Sequence, residues 1–234
     1  MTGLDDDGDD GRTRCDWAAT QSTLYRDYHD QEWGRELRGR VQIFERMSLE
    51  AFQSGLSWLI ILRKRENFRA AFDGFDIETV AGYGDRDVDR LMSDVGIVRN
   101  RAKIEATIAN ARVAADLGED LSDLLWSYAP APRPRPRTLA DVPAISPESQ
   151  AMAKDLKRRG FRFVGPTTAY ALMQATGMVD DHLQACWVPA VGVVLVEVLQ
   201  RHQADRGHDR VAVVLEALVL DVVVPAVDAL LLDG

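Results

Sequence analysis

Apolar residues recur at helical spacing along most of the chain. Ile43, Met47, Glu50 and Ser54 fall at i, i+4, i+7 and i+11, with Phe44 and Phe52 on adjoining positions, which predicts a helix whose inward stripe contains one carboxylate. The stretch 58–72 predicts a second helix, with Arg63, Lys64, Arg65 and Glu66 on its polar side. Asp76 and Asp85 stand where N-caps would, ahead of short helices over 77–82 and 86–93, because each offers an acceptor side chain before a helical pattern. Gly96 then punctuates before a longer helix over about 99–117. Pro130, Pro132, Pro134 and Pro136, alternating with Arg133, Arg135 and Arg137, predict an extended linker. Ser146-Pro147 reads as an N-cap and a first helical position, starting a helix that runs to Arg159. Strand-like alternation is scarce before residue 188, so the body is expected to be all-α.

The two ends read differently from this body. Residues 1–11 hold Asp5, Asp6, Asp7, Asp9 and Asp10 without a basic residue and predict a disordered acidic leader. Residues 188–234 are rich in Val, Ala and Leu with scattered charge, and form a C-terminal extension to which no role is assigned. The body is therefore placed at 12–187. Its charge bears on what it can bind. The whole chain carries 28 Lys and Arg against 37 Asp and Glu, a net charge of -9, which alone would disfavour a nucleic-acid partner. The excess sits in the two ends, however, and residues 12–187 contain 25 acidic and 25 basic residues. Neither a secretory signal nor an uninterrupted apolar span is present, since Glu216, Asp221, Pro225 and Asp228 break the C-terminal apolar run. A reduced, cytoplasmic protein without a membrane anchor is expected.

Three groups of residues could carry chemistry. Lys154 to Ala175 reads as a helix ending in Lys157-Arg158-Arg159-Gly160, a turn over Phe161 to Gly165, and a second helix opening at Pro166. Basic residues around a helix N-terminus suit a DNA phosphate, and an ordinary helical hairpin with a solvated basic face reads equally well. Cys15, His29, His182 and Cys186 have the donor types of a tetrahedral zinc site, with His182 and Cys186 four apart as on one helix face; a buried thiol with two satisfied histidines is the other reading. Glu50 with Trp17, Tyr28, Trp33 and Trp58 is the third group. A buried unpaired carboxylate costs several kcal/mol, so Glu50 needs either a ligand that is cationic or electron-poor, or a salt bridge to Arg46 one turn earlier.

Seven blocks, in order, resemble the DNA-3-methyladenine glycosylase I family: Arg14-Cys15-Asp16-Trp17, Tyr28 to Gly34, Leu49-Glu50 through Gln53 to Trp58, Lys64 to Arg69, Leu124 to Ser127, Lys157 to Gly165, and Val179 to His182. The resemblance runs from about residue 14 to residue 187. It implies an all-α helix-hairpin-helix DNA glycosylase fold, with the hairpin within 154–175 and one structural zinc on Cys15, His29, His182 and Cys186 tying the N-terminal segment to the end of the body. It places Glu50 in a base pocket as the catalytic carboxylate, with Trp58 as stacking platform and Tyr28 and Trp17 as walls. Arg162, Phe163, Gly165 and Thr167 become the DNA-binding residues of the hairpin. The implied activity is monofunctional base excision repair: 3-methyladenine is flipped from alkylated double-stranded DNA, its glycosidic bond is hydrolysed, and an abasic site is left.

No lysine stands where a Schiff-base nucleophile would be expected, and Asp180 and Asp181 are assigned to orienting His182 or capping its helix. A monomer without an obligate protein partner is expected. The competing reading is a catalytically inactive damage-binding module of the same fold, against which the retained Glu50 and Trp58 argue. A zinc hydrolase would need an open metal position, and four protein ligands leave none.

Overall fold

The computed structural model describes residues 10–19 and 22–190. The chain divides into a unit ending at Val188 and a second unit, Pro189–Gly234. The expected leader, apart from Asp10 and Gly11, and the expected extension, apart from residues 188–190, lie outside the described residues.

All regular structure among the described residues is helical. The helices are α1 (Asp16–Ala19), α2 (Thr23–Gln31), α3 (Arg40–Gln53), α4 (Trp58–Ala71), α5 (Ile77–Ala81), α6 (Asp85–Ser93), α7 (Arg101–Ala115), α8 (Leu121–Trp126), α9 (Pro147–Arg159) and α10 (Pro166–Ala175). Single 3-10 turns lie at Asp73–Phe75 and Leu139–Asp141. No described helix is long and apolar enough to cross a membrane.

The centre of the unit is α3, which packs on α4, α7, α8 and α10. Its apolar stripe widens into a fully buried circumference from Arg46 to Phe52, because helices cover it on several sides. Phe52 meets Phe68 at 4.7 Å between ring centres, and Phe72 stacks on Phe75 at 5.4 Å, so aromatic rings from α3, α4 and the following turn make one continuous core. The C-terminal carbonyls of α3, which a helix leaves without intrahelical partners, are taken by a buried ammonium. Lys103 Nζ on α7 donates to Phe52 O at 2.9 Å and Ser54 O at 2.6 Å. Lys103→Met is expected to lower unfolding free energy by about 2 kcal/mol, as loss of charge-assisted hydrogen bonds does, a difference that urea denaturation would measure.

Two of the three expected N-caps form. Asp76 accepts from Thr79 N at 2.9 Å, and Ser146 accepts from Ser149 N at 3.1 Å with Pro147 at the first helical position. Asp85 is not an N-cap. It is the first residue of α6, Gly84 occupies the cap, and Asp87 reaches back to accept from Gly84 N at 3.1 Å. Similarly, α7 starts at Arg101 behind the cap Asn100, whose side chain accepts from Lys103 N. The Pro/Arg linker has no regular secondary structure and is pinned by ion pairs, Arg133 to Asp181 at 2.7 Å and Arg135 to Asp180 at 2.8 Å.

The two helices of the expected hairpin are α9 and α10, packed on each other. Gly160 ends α9 at φ 102°, a left-handed cap that glycine enters without steric cost. Asn110 on α7 then clamps the turn: its Oδ1 accepts from Arg162 N at 2.7 Å and its Nδ2 donates to Arg162 O at 3.0 Å. The next residue, Phe163, is held at φ 55°, a region a bulky side chain occupies only when its surroundings enforce it.

Candidate active site

Two adjoining features are built where α1, α2 and α3 meet the segment after α10. The first is the cluster of Cys15, His29, His182 and Cys186, all buried, with one ligand atom from each lying within 4.8 Å of the other three. Cys186 Sγ is 3.5 Å from both His29 Nε2 and His182 Nδ1, and Cys15 Sγ is 3.7 Å from His182 Nδ1. A tetrahedral ion with zinc-like bond lengths would hold such atoms about 3.3–3.8 Å apart, so the cluster could hold a metal ion. The outward ring nitrogens are also engaged: His29 Nδ1 lies 2.8 Å from the Asp30 carboxylate and His182 Nε2 lies 3.1 Å from Trp33 O. Such outer partners fix the tautomer that leaves the inward nitrogen as a ligand.

His182 and Cys186 do not lie on a helix. A turn brings them together, closed by Cys186 N donating to Leu183 O at 2.9 Å, and Asp180 accepts from His182 N at 3.3 Å without a helix to cap. Gly34 passes so close that a Cβ there would meet the His182 ring at 3.0 Å. The N-terminal segment and the end of the body are joined at this point. Trp187 N donates to Thr13 O at 2.8 Å, and Asp30 accepts from both Arg14 and Trp187 Nε1. Hydrogen bonding from Cys15 and the two histidines holds the Cys186 thiol below its usual range, while the Cys186 neighbour and burial push Cys15 above it.

The second feature is a cavity of about 220 Å³ walled by Trp17, Tyr25, Tyr28, Trp33 and Trp58, with Glu50 and Gln53 from α3. Tyr28 and Trp58 meet at 5.3 Å between ring centres, and Trp17 meets Trp33 at 5.1 Å. Glu50 is 5% exposed, and no hydrogen bond or ion pair with another described residue reaches it. Burial pushes its carboxyl up from the usual 4.5 to about 7, against a smaller opposing effect of Arg46. The salt bridge to Arg46, one of the two partners open to Glu50 on sequence grounds, does not form. The Arg46 guanidinium is directed instead to the Tyr28 hydroxyl at 2.9 Å and to Glu32 at 3.4 Å.

Sequence reasoning missed several wall residues. Tyr25 and Gln53 each sit three residues from one already named, Tyr28 and Glu50, so helical spacing could have found them. Leu139, Val142, Gln174 and Asp181 come from the turn after the linker and from α10 and its sequel, and no local pattern announces them. Asp181 is fully engaged: it accepts from Tyr170 at 2.6 Å, Gln174 at 2.9 Å and Arg133 at 2.7 Å, so it braces the cavity wall.

The hairpin residues lie apart from the cavity lining. Arg162, Phe163 and Thr167 are exposed, and a Cβ on Gly165 would meet nothing within 4 Å. The amides of Thr167 and Thr168, in the first turn of α10, have no acceptor among the described residues. Part of the local basic charge is already paired, since Arg158 and Arg159 bridge to Asp155 and Arg159 also to Glu119. Around the hairpin, Lys154, Lys157 and Arg162 remain as exposed cations without an ion pair among the described residues.

Comparison with known proteins bears on the same residues. The family profile described as methyladenine glycosylase matches residues 17–189. A DNA-3-methyladenine glycosylase of Haemophilus influenzae is 44% identical over 179 residues, 74% of this chain and 96% of that protein. Among solved structures, a 3-methyladenine DNA glycosylase I superposes with a TM-score of 0.74 at 43% identity, covering 76% of this chain and all of that one. A Staphylococcus aureus 3-methyladenine DNA glycosylase I, solved to explain 3-methyladenine recognition, gives 0.69 at 35% identity over 73% of this chain and 94% of that one.

Proposed function

The chain belongs to the methyladenine glycosylase family, and we propose that it excises 3-methyladenine from alkylated duplex DNA through the cavity around Glu50. The observation that carries this reading is a buried carboxylate without a protein partner inside an aromatic box. Methylation at N3 makes the adenine ring cationic and a good leaving group. Glu50 opposes that charge from a buried position, where such electrostatic effects are stronger than in bulk water, and accepts hydrogen bonds from the purine edge. Trp58 and Tyr28 offer π faces that favour a cationic ring over neutral adenine, and Trp17 closes the wall. The nucleotide must leave the duplex to arrive there, at an unstacking cost that is lower for a damaged base.

The bond from the sugar C1′ to N9 breaks, and its electron pair goes to the base, which departs neutral. Water adds its oxygen to C1′ and releases a proton. No lysine lines the cavity, so the reaction ends at an abasic site without strand cleavage. Arg162, Phe163, Gly165 and Thr167 are assigned to the DNA backbone: the free first-turn amides of α10 and the open space over Gly165 suit a phosphate. The donor set of Cys15, His29, His182 and Cys186 fits zinc. With all four positions taken by protein, the ion would cross-link the N-terminal segment to the end of the body and take no part in the reaction.

The test is chromatographic detection of free base after incubation with N-methylated duplex DNA. Free 3-methyladenine together with alkali-labile but uncleaved sites is expected; DNA binding without base release would make the protein a damage-binding module. Trp58→Ala is expected to cut release at limiting substrate by about tenfold, the scale of a desolvated cation–π contact.

A further inference from the structure

Arg46 is left without a role by the reaction above. It sits on α3 one turn before Glu50 and is 7% exposed. Its Nη1 donates to the Tyr28 hydroxyl oxygen at 2.9 Å and its Nη2 lies 3.4 Å from Glu32. Both carboxylate oxygens of Glu32 are in turn gripped by Arg65, at 2.5 and 2.8 Å. Two guanidiniums therefore share the Glu32 carboxylate behind the cavity wall, and Glu45 and Glu66 also act on Arg65. The guanidinium carbon lies 5.4 Å from the Tyr28 ring centre and 5.6 Å from that of Trp58.

A phenol has a single proton. Because Tyr28 accepts from Arg46, that proton is turned away from the guanidinium, and no described residue accepts it. Tyr28 lines the cavity, where a bound base would supply the acceptor that the described residues do not. The Arg46 charge, one helical turn from Glu50, favours the ionised carboxylate. The other titratable groups that face Glu50 across the cavity are Tyr25, Tyr28 and Asp181. On the helices packed against α3, the nearest charges are committed elsewhere: Arg65 on α4 to Glu32, and Lys103 on α7 to backbone carbonyls. Tyr170 on α10 is bonded to Asp181.

We propose, resting on the base-excision reading above, that Arg46 is a positioning residue: it turns the Tyr28 hydroxyl proton into the cavity and holds Glu50 as the anion that a cationic base meets. Neither role requires Arg46 to touch the base.

Two substitutions separate these roles. Arg46→Gln removes the charge and keeps an N–H donor, whereas Arg46→Lys keeps the charge and loses the planar fork. Base release at limiting substrate, measured from about pH 5.5 to 8.5, reports groups of the free enzyme. For the unaltered protein the rate should climb to a plateau as Glu50 ionises near pH 7. In Arg46→Gln that climb should move up by about one pH unit, the scale of losing a nearby opposite charge. In Arg46→Lys it should stay in place with a plateau several-fold lower. A merely structural role would slow both variants equally at every pH.

An unmoved climb in folded Arg46→Gln overturns the proposal. If that variant does not fold, Arg46→Lys decides alone: a displaced climb or an unchanged plateau overturns it. Failure of the unaltered protein to release base would instead remove the base-excision reading.

Discussion

Glu50→Gln is expected to slow base release by about 100-fold or more, the usual effect of deleting one group aimed at transition-state charge, while making the protein more stable at pH 8. The two effects have opposite signs for one reason. Burial raises the Glu50 carboxyl from 4.5 to about 7, so the folded state resists the charge that the unfolded state accepts. Stability linked to this group is complete below about pH 4.5, falls as the pH rises towards 7, and stays low above it. The penalty removed by a neutral amide at pH 8 is about 3 kcal/mol. Urea unfolding of the two proteins at pH 5 and pH 8 measures this, and the gap between them should be wider at pH 8. A variant less stable than the parent at pH 8 would mean that Glu50 has a structural partner.

The cluster of Cys15, His29, His182 and Cys186 carries the second large effect. Cys186→Ser, or prolonged chelation, is expected to cost several kcal/mol of stability, because binding to a site absent from the unfolded chain is folding free energy. The cluster joins Cys15 at the N-terminal segment to the turn after α10, so its loss should also release Trp187 from Thr13 and Asp30. Elemental analysis of dialysed protein should give about one zinc per chain and much less in Cys186→Ser. Metal-free protein that unfolds at the same denaturant concentration with and without chelator would contradict the assignment.

Much of the fold and of the site is legible in the sequence, and the reasons are local. Asp76, and Ser146 with Pro147, announce helix starts because capping is a short-range hydrogen bond. Glu50 stands out because one carboxylate on an apolar stripe breaks a helical period. The four metal-type ligands can be grouped because cysteines and histidines are scarce in this chain, with 2 and 4 respectively.

What the sequence does not reveal depends on distant contacts. Whether Arg46 pairs with Glu50 one turn away or with Tyr28 and Glu32 is decided by how α2 packs against α3. His182 and Cys186 have helical spacing yet lie on a turn, because Asp180 and Cys15 Sγ capture the His182 and Leu183 amides. Asp85 loses the cap position to Gly84, whose amide Asp87 reaches. The arginines of the Pro-rich linker have the pattern of solvated charge, but Arg133 and Arg135 hold the linker onto the residues that precede the last two metal-type ligands.

On the proposed function, the aromatic cavity takes a cationic base whose departure depends on Glu50. Single-turnover release from a duplex carrying one 3-methyladenine, compared between the parent protein and Glu50→Gln at pH 8 with DNA binding confirmed for both, tests it most directly. The parent should release the base fully and leave an intact strand with an abasic site, and the variant should bind as well yet release it at least about 100-fold more slowly. Equal rates from the two proteins, or no release from either, would contradict the account.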